Sequence, residues 1–362
     1  MANIYFLATS ALFKIGCGLV AVFMVGFWVY KFEKNDDVSV IEYKSFKSMT
    51  DGIYPEMSIC ISNPFLADKF ENDRINVSIV EYFQYLTGKG DYDDRYKELN
   101  FFGVTLNLFD YLTHVVVGKT DSTYEPHNCT KKGSCPFLST NNSFNGFIRY
   151  VFYKCFSVGI QQNFTKNITE VILYFEPKLG DTLQQMKNAG QWVATNVEFT
   201  YPNQFVTVNP QFTKIWQTKN IRGATDWIVI GSIEVLKRRN KRKNPCVQDW
   251  MLYDDLVFNK HISSVECESP YQHQNGSLCT TKNGMISSKY QLEIVKEKYF
   301  PPPCIGLSDI KYRANKITSQ KEIKLGVIYP KLMKLINQTP SVDSHALIGN
   351  IGGYVGLFLG II

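Results

Sequence analysis

Gly349-Asn350-Ile351-Gly352-Gly353-Tyr354-Val355-Gly356-Leu357-Phe358-Leu359-Gly360 is the stretch on which the reading of this chain turns. It lies within Ala346–Ile362, a segment with no formally charged side chain. Glycine costs a soluble helix about 1 kcal/mol relative to alanine, so a glycine-rich apolar helix needs a reason. Gly352, Gly356 and Gly360 recur every fourth residue, and Gly349 with Gly353 repeats the spacing. That small-xxx-small stripe lets membrane helices approach closely. As a helix, Ala346–Ile362 reaches only about 25 Å, short of a bilayer. It is expected to be the opening of a transmembrane helix that the chain as given does not finish.

The other end carries a matching element. Leu7–Tyr30 is apolar apart from Lys14, Thr9 and Ser10. As a helix it runs about 36 Å, enough to cross a hydrocarbon core of about 30 Å. Trp28, Tyr30 and Phe32 make an interfacial aromatic belt at its far end. A cleavable signal peptide is the competing reading. Against it stand the absence of a basic residue before the apolar run, its excess length and the lack of a small-x-small cleavage site.

Between the two ends the chemistry is that of an oxidising compartment. Of 362 residues, 44% are hydrophobic, 14% aromatic and 20% charged, which excludes wholesale disorder. The formal charge of +6 equals the six basic residues in Lys237–Lys243, so no diffuse basic face exists for nucleic acid. Nine cysteines occur, with no C-x-x-C and no H-E-x-x-H, so no metal spacing is present. Cys17 lies in the first apolar run; the other eight are Cys60, Cys129, Cys135, Cys155, Cys246, Cys267, Cys279 and Cys304. Spacing alone leaves roughly a hundred pairings open. Seven N-x-[ST] sequons, at Asn76, Asn128, Asn141, Asn163, Asn167, Asn275 and Asn337, spread over the same region. Together these features place everything after the first span outside the cell, at the plasma membrane.

Strand-like runs occur at Met57–Ile61, Thr169–Phe175, Asn196–Tyr201, Phe205–Val208, Trp227–Val235 and Lys324–Tyr329. Ser78–Leu86 has helical spacing with Gly88 and Gly90 as a stop signal, and Leu106–Val117 is read as a second helix. The expected class is an α+β membrane protein, with two transmembrane helices flanking a large, disulfide-bonded, β-rich extracellular domain. Residues 1–32 hold the first span, 33–345 the extracellular domain and 346–362 the start of the second.

This layout, and above all the Gly349–Gly360 stretch, resembles the degenerin/epithelial sodium channel family, which includes acid-sensing and peptide-gated members. Tyr54-Pro55-Glu56-Met57-Ser58-Ile59-Cys60-Ile61-Ser62-Asn63-Pro64-Phe65, Tyr153-Lys154-Cys155-Phe156 and Pro301-Pro302-Pro303-Cys304 are similar to further family elements, in the same order. The resemblance implies palm, ball, finger and thumb regions in the extracellular domain. It also implies the bridges Cys60–Cys155, Cys129–Cys135, Cys246–Cys304 and Cys267–Cys279. Its function would be that of a subunit in a homo- or heterotrimeric, sodium-selective, amiloride-sensitive channel in the lipid bilayer, gated by an extracellular cue such as a proton or a peptide. Gly349, Asn350, Gly353, Gly356 and Gly360 would form its pore and gate. No enzyme activity, resident metal or cofactor is implied beyond the permeant sodium ion.

The chain also departs from the family. A Gly-x-Ser filter is missing after Gly360, Asn350 replaces a common aspartate, and the cytoplasmic His-Gly element is absent. A fragment is the expected explanation. A non-conducting membrane glycoprotein, either an adhesion module or a silent subunit, is the alternative function. Two minor readings are a dibasic processing site at Arg239-Asn240-Lys241-Arg242 and an aromatic cage of Trp250, Tyr253 and Phe258 beside Asp254 and Asp255. The bland readings are a solvated loop and packing. His114, His127, His261, His273 and His345 are treated as surface or packed residues before proton sensors.

Overall fold

A computed structural model describes residues 2–34, 36–45, 54–70, 76–130, 134–148, 151–161, 168–189, 191–200, 213–216, 224–241, 244–248, 260, 265–272, 277–288, 301–318 and 322–359. Helix α1 (Ala2–Lys34) leads into β1 (Asp37–Ser45) and β2 (Glu56–Ser62). Helix α2 (Ile79–Leu86) precedes β3 (Leu112–Lys119), β4 (Tyr124–Asn128), β5 (Leu138–Ile148), β6 (Val151–Ile160) and β7 (Ile168–Phe175). Next come α3 (Lys178–Asn188), β8 (Thr195–Thr200), β9 (Thr213–Ile215) and β10 (Ala224–Lys237). β11 (Ile305–Thr318), β12 (Ile323–Ile328), β13 (Leu332–Pro340) and α4 (Ser344–Leu359) follow. The chain divides into two units, one of Met1–Glu42 with Ile336–Ile362 and one of Tyr43–Leu335. The protein is thus mixed α/β, with an N-terminal apolar helix, a β-rich body and four disulfides.

The body holds two sheets. In one, β10 pairs antiparallel with β11 and parallel with β12; β7, β3 and β4 continue from β12 in that order. The other runs β5-β6-β2-β8-β9. Period-two alternation on β2 decides which side faces the core. Met57, Ile59 and Ile61 join a hydrophobic cluster with Val115, Leu173, Ile228 and Leu325. Burying each such aliphatic side chain contributes about 1.5–3 kcal/mol. Ser58, Cys60 and Ser62 take the opposite face, beside Ser157, Cys155 and Tyr153 of β6.

Helix α2 starts where its sequence says it should. Ser78 Oγ accepts from the Glu81 N–H at 3.2 Å, and the Ser78 N–H donates to Glu81 Oε2 at 3.0 Å. This capping box satisfies two otherwise orphaned groups. The helix buries Tyr82, Tyr85 and Leu86 in a second cluster with Phe65, Phe101, Phe152 and Tyr271. It ends at Thr87, and Gly88 follows with φ +72°, in the left-handed region. A Cβ there would stand 2.6 Å from Ile286 Cγ1, so glycine is required on two counts.

One expectation is corrected. Leu106–Val117 is not a helix: Leu108–Tyr111 forms a short 3-10 turn and Leu112–Lys119 is strand β3. The run Val115-Val116-Val117 is β-branched, and β3 finds partners on both sides in β4 and β7. Tertiary pairing overrides a periodicity that was only locally helical. Phe205–Val208 lies outside the described residues.

Candidate pore and gate

Helix α4 is initiated by Asp343. Its Oδ1 accepts from the Ala346 N–H at 2.6 Å, and its carbonyl accepts from the Leu347 N–H at 2.9 Å. The helix has 16 described residues, about 24 Å of rise, and packs on α1. Among the described residues α1 alone is long and apolar enough to cross a membrane: an 18-residue window within Thr9–Lys34 reaches mean hydropathy 2.1.

The two sides of α4 differ sharply. Leu347, Asn350, Ile351, Tyr354 and Phe358 are partly covered, and they form one helical stripe. Tyr354 and Phe358 stack one turn apart, with ring centroids 6.3 Å apart. Gly349, Gly352, Gly353 and Gly356 occupy the opposite side, and a Cβ built on any of them meets nothing within 4 Å. Gly16, Gly18 and Gly26 of α1 are equally open. Contact between α1 and α4 therefore does not explain the glycines. The structure separates Asn350 from them, because one residue turns a helix by about 100°. Gly360 lies outside the described residues.

At one end the two helices are tied through their adjoining strands. The Ser341 N–H donates to the Asp36 carbonyl at 2.9 Å, Thr339 Oγ1 to the Val38 carbonyl at 3.5 Å, and Asn337 Nδ2 to Glu42 Oε1 at 3.4 Å.

In the body, the cysteines pair as Cys60–Cys155, Cys129–Cys135, Cys246–Cys304 and Cys267–Cys279, with Cys17 free. Cys60 and Cys155 stand directly opposite each other on β2 and β6. Cys279 also anchors the aromatic cluster, its carbonyl accepting from Tyr85 Oη at 2.7 Å. Among the sequons, Asn76 and Asn128 are exposed, Asn337 is half-buried, and Asn141 lies on β5 opposite Ser157. Asn163, Asn167 and Asn275 lie outside the described residues, as do Arg242 of the dibasic run, Trp250, Tyr253, Asp254, Asp255, Phe258, His261 and His273.

His114 stacks on Tyr174 at 4.2 Å, and burial pushes its pKa down. His127 stacks on Phe137 at 5.2 Å. Both imidazoles are packing elements of the β3–β4 region. Two titratable side chains that the sequence reading did not single out as site residues stand on the five-stranded sheet, Lys154 buried and Glu198 half-buried. Lys154 Nζ donates to Thr105 Oγ1 at 3.0 Å and lies 5.5 Å from the rings of Phe102 and Phe156. Burial pulls its pKa down to about 8, and Asp110 only partly opposes this. Glu198 on β8 is pushed up to about 8 by burial alone. The alternation Asn196-Val197-Glu198-Phe199-Thr200 was the available signal, since it puts Glu198 and Thr200 on one face.

No family model matches this chain, and no curated protein matches it. Among solved structures it is similar to a cryo-EM structure of a proton-activated chloride channel, with 5% sequence identity and a TM-score of 0.27. That match covers 99% of this chain and 94% of the other. At so low a score, no property of that channel is carried over.

Proposed function

We propose that this chain is a subunit of a trimeric, sodium-selective, amiloride-sensitive cation channel of the plasma membrane, gated by an extracellular cue. The reading rests on the resemblance of Gly349–Gly360 to the second span of the degenerin/epithelial sodium channel family. The observation that carries it is the open glycine side of α4, turned away from the helix's partly covered stripe. Glycines whose Cβ positions are open among the described residues suit a close approach between chains. Three such helices around an axis would bring backbone and small residues to a narrow path for a partly dehydrated cation. The sequons and disulfides support an extracellular body, and the β1–β13 ladder supplies a link through which strand movement reaches both helices.

Cysteine cross-linking tests the assembly. In the membrane-embedded chain carrying a complete second span, Gly353→Cys should cross-link to higher oligomers, whereas Tyr354→Cys should not. Cross-linking of Tyr354→Cys with none at Gly353→Cys would sink the arrangement and favour the non-conducting glycoprotein.

A further inference from the structure

The face of the five-stranded sheet turned away from the main hydrophobic cluster is covered and rich in oxygen atoms, and the pore reading does not use it. Strand register sets Glu198 directly across from Ser58, and Thr200 across from Glu56. On the other side of β2, Ser58 faces Ser157. These residues share one face because directly paired positions in a sheet point the same way. Ser58 is fully buried, Ser157 is 5% exposed and Thr200 is 7% exposed.

Two oxygens on this face are anomalous. Glu198 Oε2 and Thr200 Oγ1 are both buried and make no hydrogen bond. A buried acceptor left alone loses its hydration with nothing in return, and native structures carry few. Here two occur two residues apart on one strand, aimed from the same side. Glu56 brings a second carboxylate next to them. Its Oε2 accepts from Ser157 Oγ at 2.9 Å. Its Oε1 crowds the position that a side chain at residue 159 would take, 2.9 Å from an ideal Cβ, with Ser139 Oγ at 2.7 Å. Gly159 thus leaves room for converging oxygens. The cationic side chain that register adds to this face is Lys214, exposed and opposite Asn196 one step along.

We propose that this face binds a hard metal cation, calcium, with Glu198 and Thr200 as ligands and Glu56 as the second carboxylate. The donor set is carboxylate and hydroxyl oxygen, which suits calcium and not a nitrogen- or sulfur-seeking metal. Cross-strand neighbours and diagonals lie about 5–8 Å apart, so the flexible glutamates can converge on one ion, with water filling the remaining positions. Two carboxylates with few further protein ligands place the affinity in the range of extracellular modules, roughly 0.1–1 mM. The site is independent of conduction and of trimer formation.

The test is thermal unfolding of the full chain in detergent, from chelator to about 10 mM calcium chloride, against sodium chloride of equal ionic strength. Binding to the folded state should raise the melting temperature by roughly 2–4 °C. Glu198→Gln keeps the shape and removes the charge, and it should lose at least half of that calcium shift. Thr200→Val should weaken it. An unchanged shift in Glu198→Gln overturns the proposal. So does a wild-type protein indifferent to calcium whose Glu198→Gln variant melts higher, because Glu198 is then only a buried protonated carboxyl.

Discussion

The backbone N–H of Ser341 donates to the carbonyl of Asp36 at 2.9 Å, closing the ladder between the strand that leaves α1 and the strand that enters α4. Two apolar helices far apart in sequence are thereby stapled at one end. Ser341→Pro removes the donor, at a cost of about 1 kcal/mol. Hydrogen exchange should accelerate across 37–42 and 336–341 while β2 and β6 keep their protection. Uniform acceleration through the body would mean that the ladder is not a separate element.

The bridges should differ in value. Cys60–Cys155 closes a separation of 95 residues and Cys129–Cys135 one of 6. Loop-closure entropy gives about 4–5 kcal/mol for the first and about 2 kcal/mol for the second. Urea unfolding of the paired Cys→Ala variants checks the order, and a costlier loss of Cys129–Cys135 would reverse it.

Lys154 makes stability rise with pH in an alkaline window. Its folded pKa is pulled down to about 8 from 10.5. Between those values the unfolded chain holds a proton that the folded chain has shed, so each step up in pH favours folding. Below about pH 8 both states are protonated and the full penalty, at most about 3 kcal/mol, is constant. Lys154→Met should raise stability near neutral pH and flatten the slope from pH 8 to 10.5. An unchanged slope would mean that the ammonium is better solvated than its burial implies.

Much of this is legible in the sequence. Helical spacing over Ser78–Leu86 announced α2, and strand-like runs announced β2, β7, β8, β10 and β12 within a residue or two at most ends, although β10 already begins at Ala224. The disulfide pairs coincide with those the family resemblance implied; spacing alone left them open. Leu106–Val117 misled because its apolar residues fit a helical period while one of the partners of β3, β7, is distant in sequence. The sidedness of α4 was half visible. The glycine stripe was plain, but that Asn350 belongs to the other side follows from where α4 is covered. Glu198 looked like any surface glutamate, because nothing in its neighbours shows that both faces of β8 are covered.

Glycan occupancy should follow exposure. Asn76 and Asn128 are open, whereas Asn337 is half-buried and spends its amide on Glu42. Asn76→Gln and Asn128→Gln should each lower the apparent mass of protein from secretory cells, and Asn337→Gln should not. A chain whose mass ignores all three substitutions and glycosidase treatment would overturn the extracellular placement of the body.

The most direct test of the channel reading is a current carried by a side chain that has room in one subunit but not in three. Among the described residues nothing lies within 4 Å of a Cβ at Gly349, so a side chain can leave the helix there. The channel reading places its effect where neighbouring copies meet. In oocytes expressing the chain with a complete second span, Gly349→Trp should give a standing amiloride-sensitive sodium current roughly tenfold above wild type, a bias of about 1.4 kcal/mol on the gate. Asn350→Trp, on the covered side, should not. Silence from surface-expressed Gly349→Trp, alone and with partner subunits, or equal currents from both variants, would contradict the account.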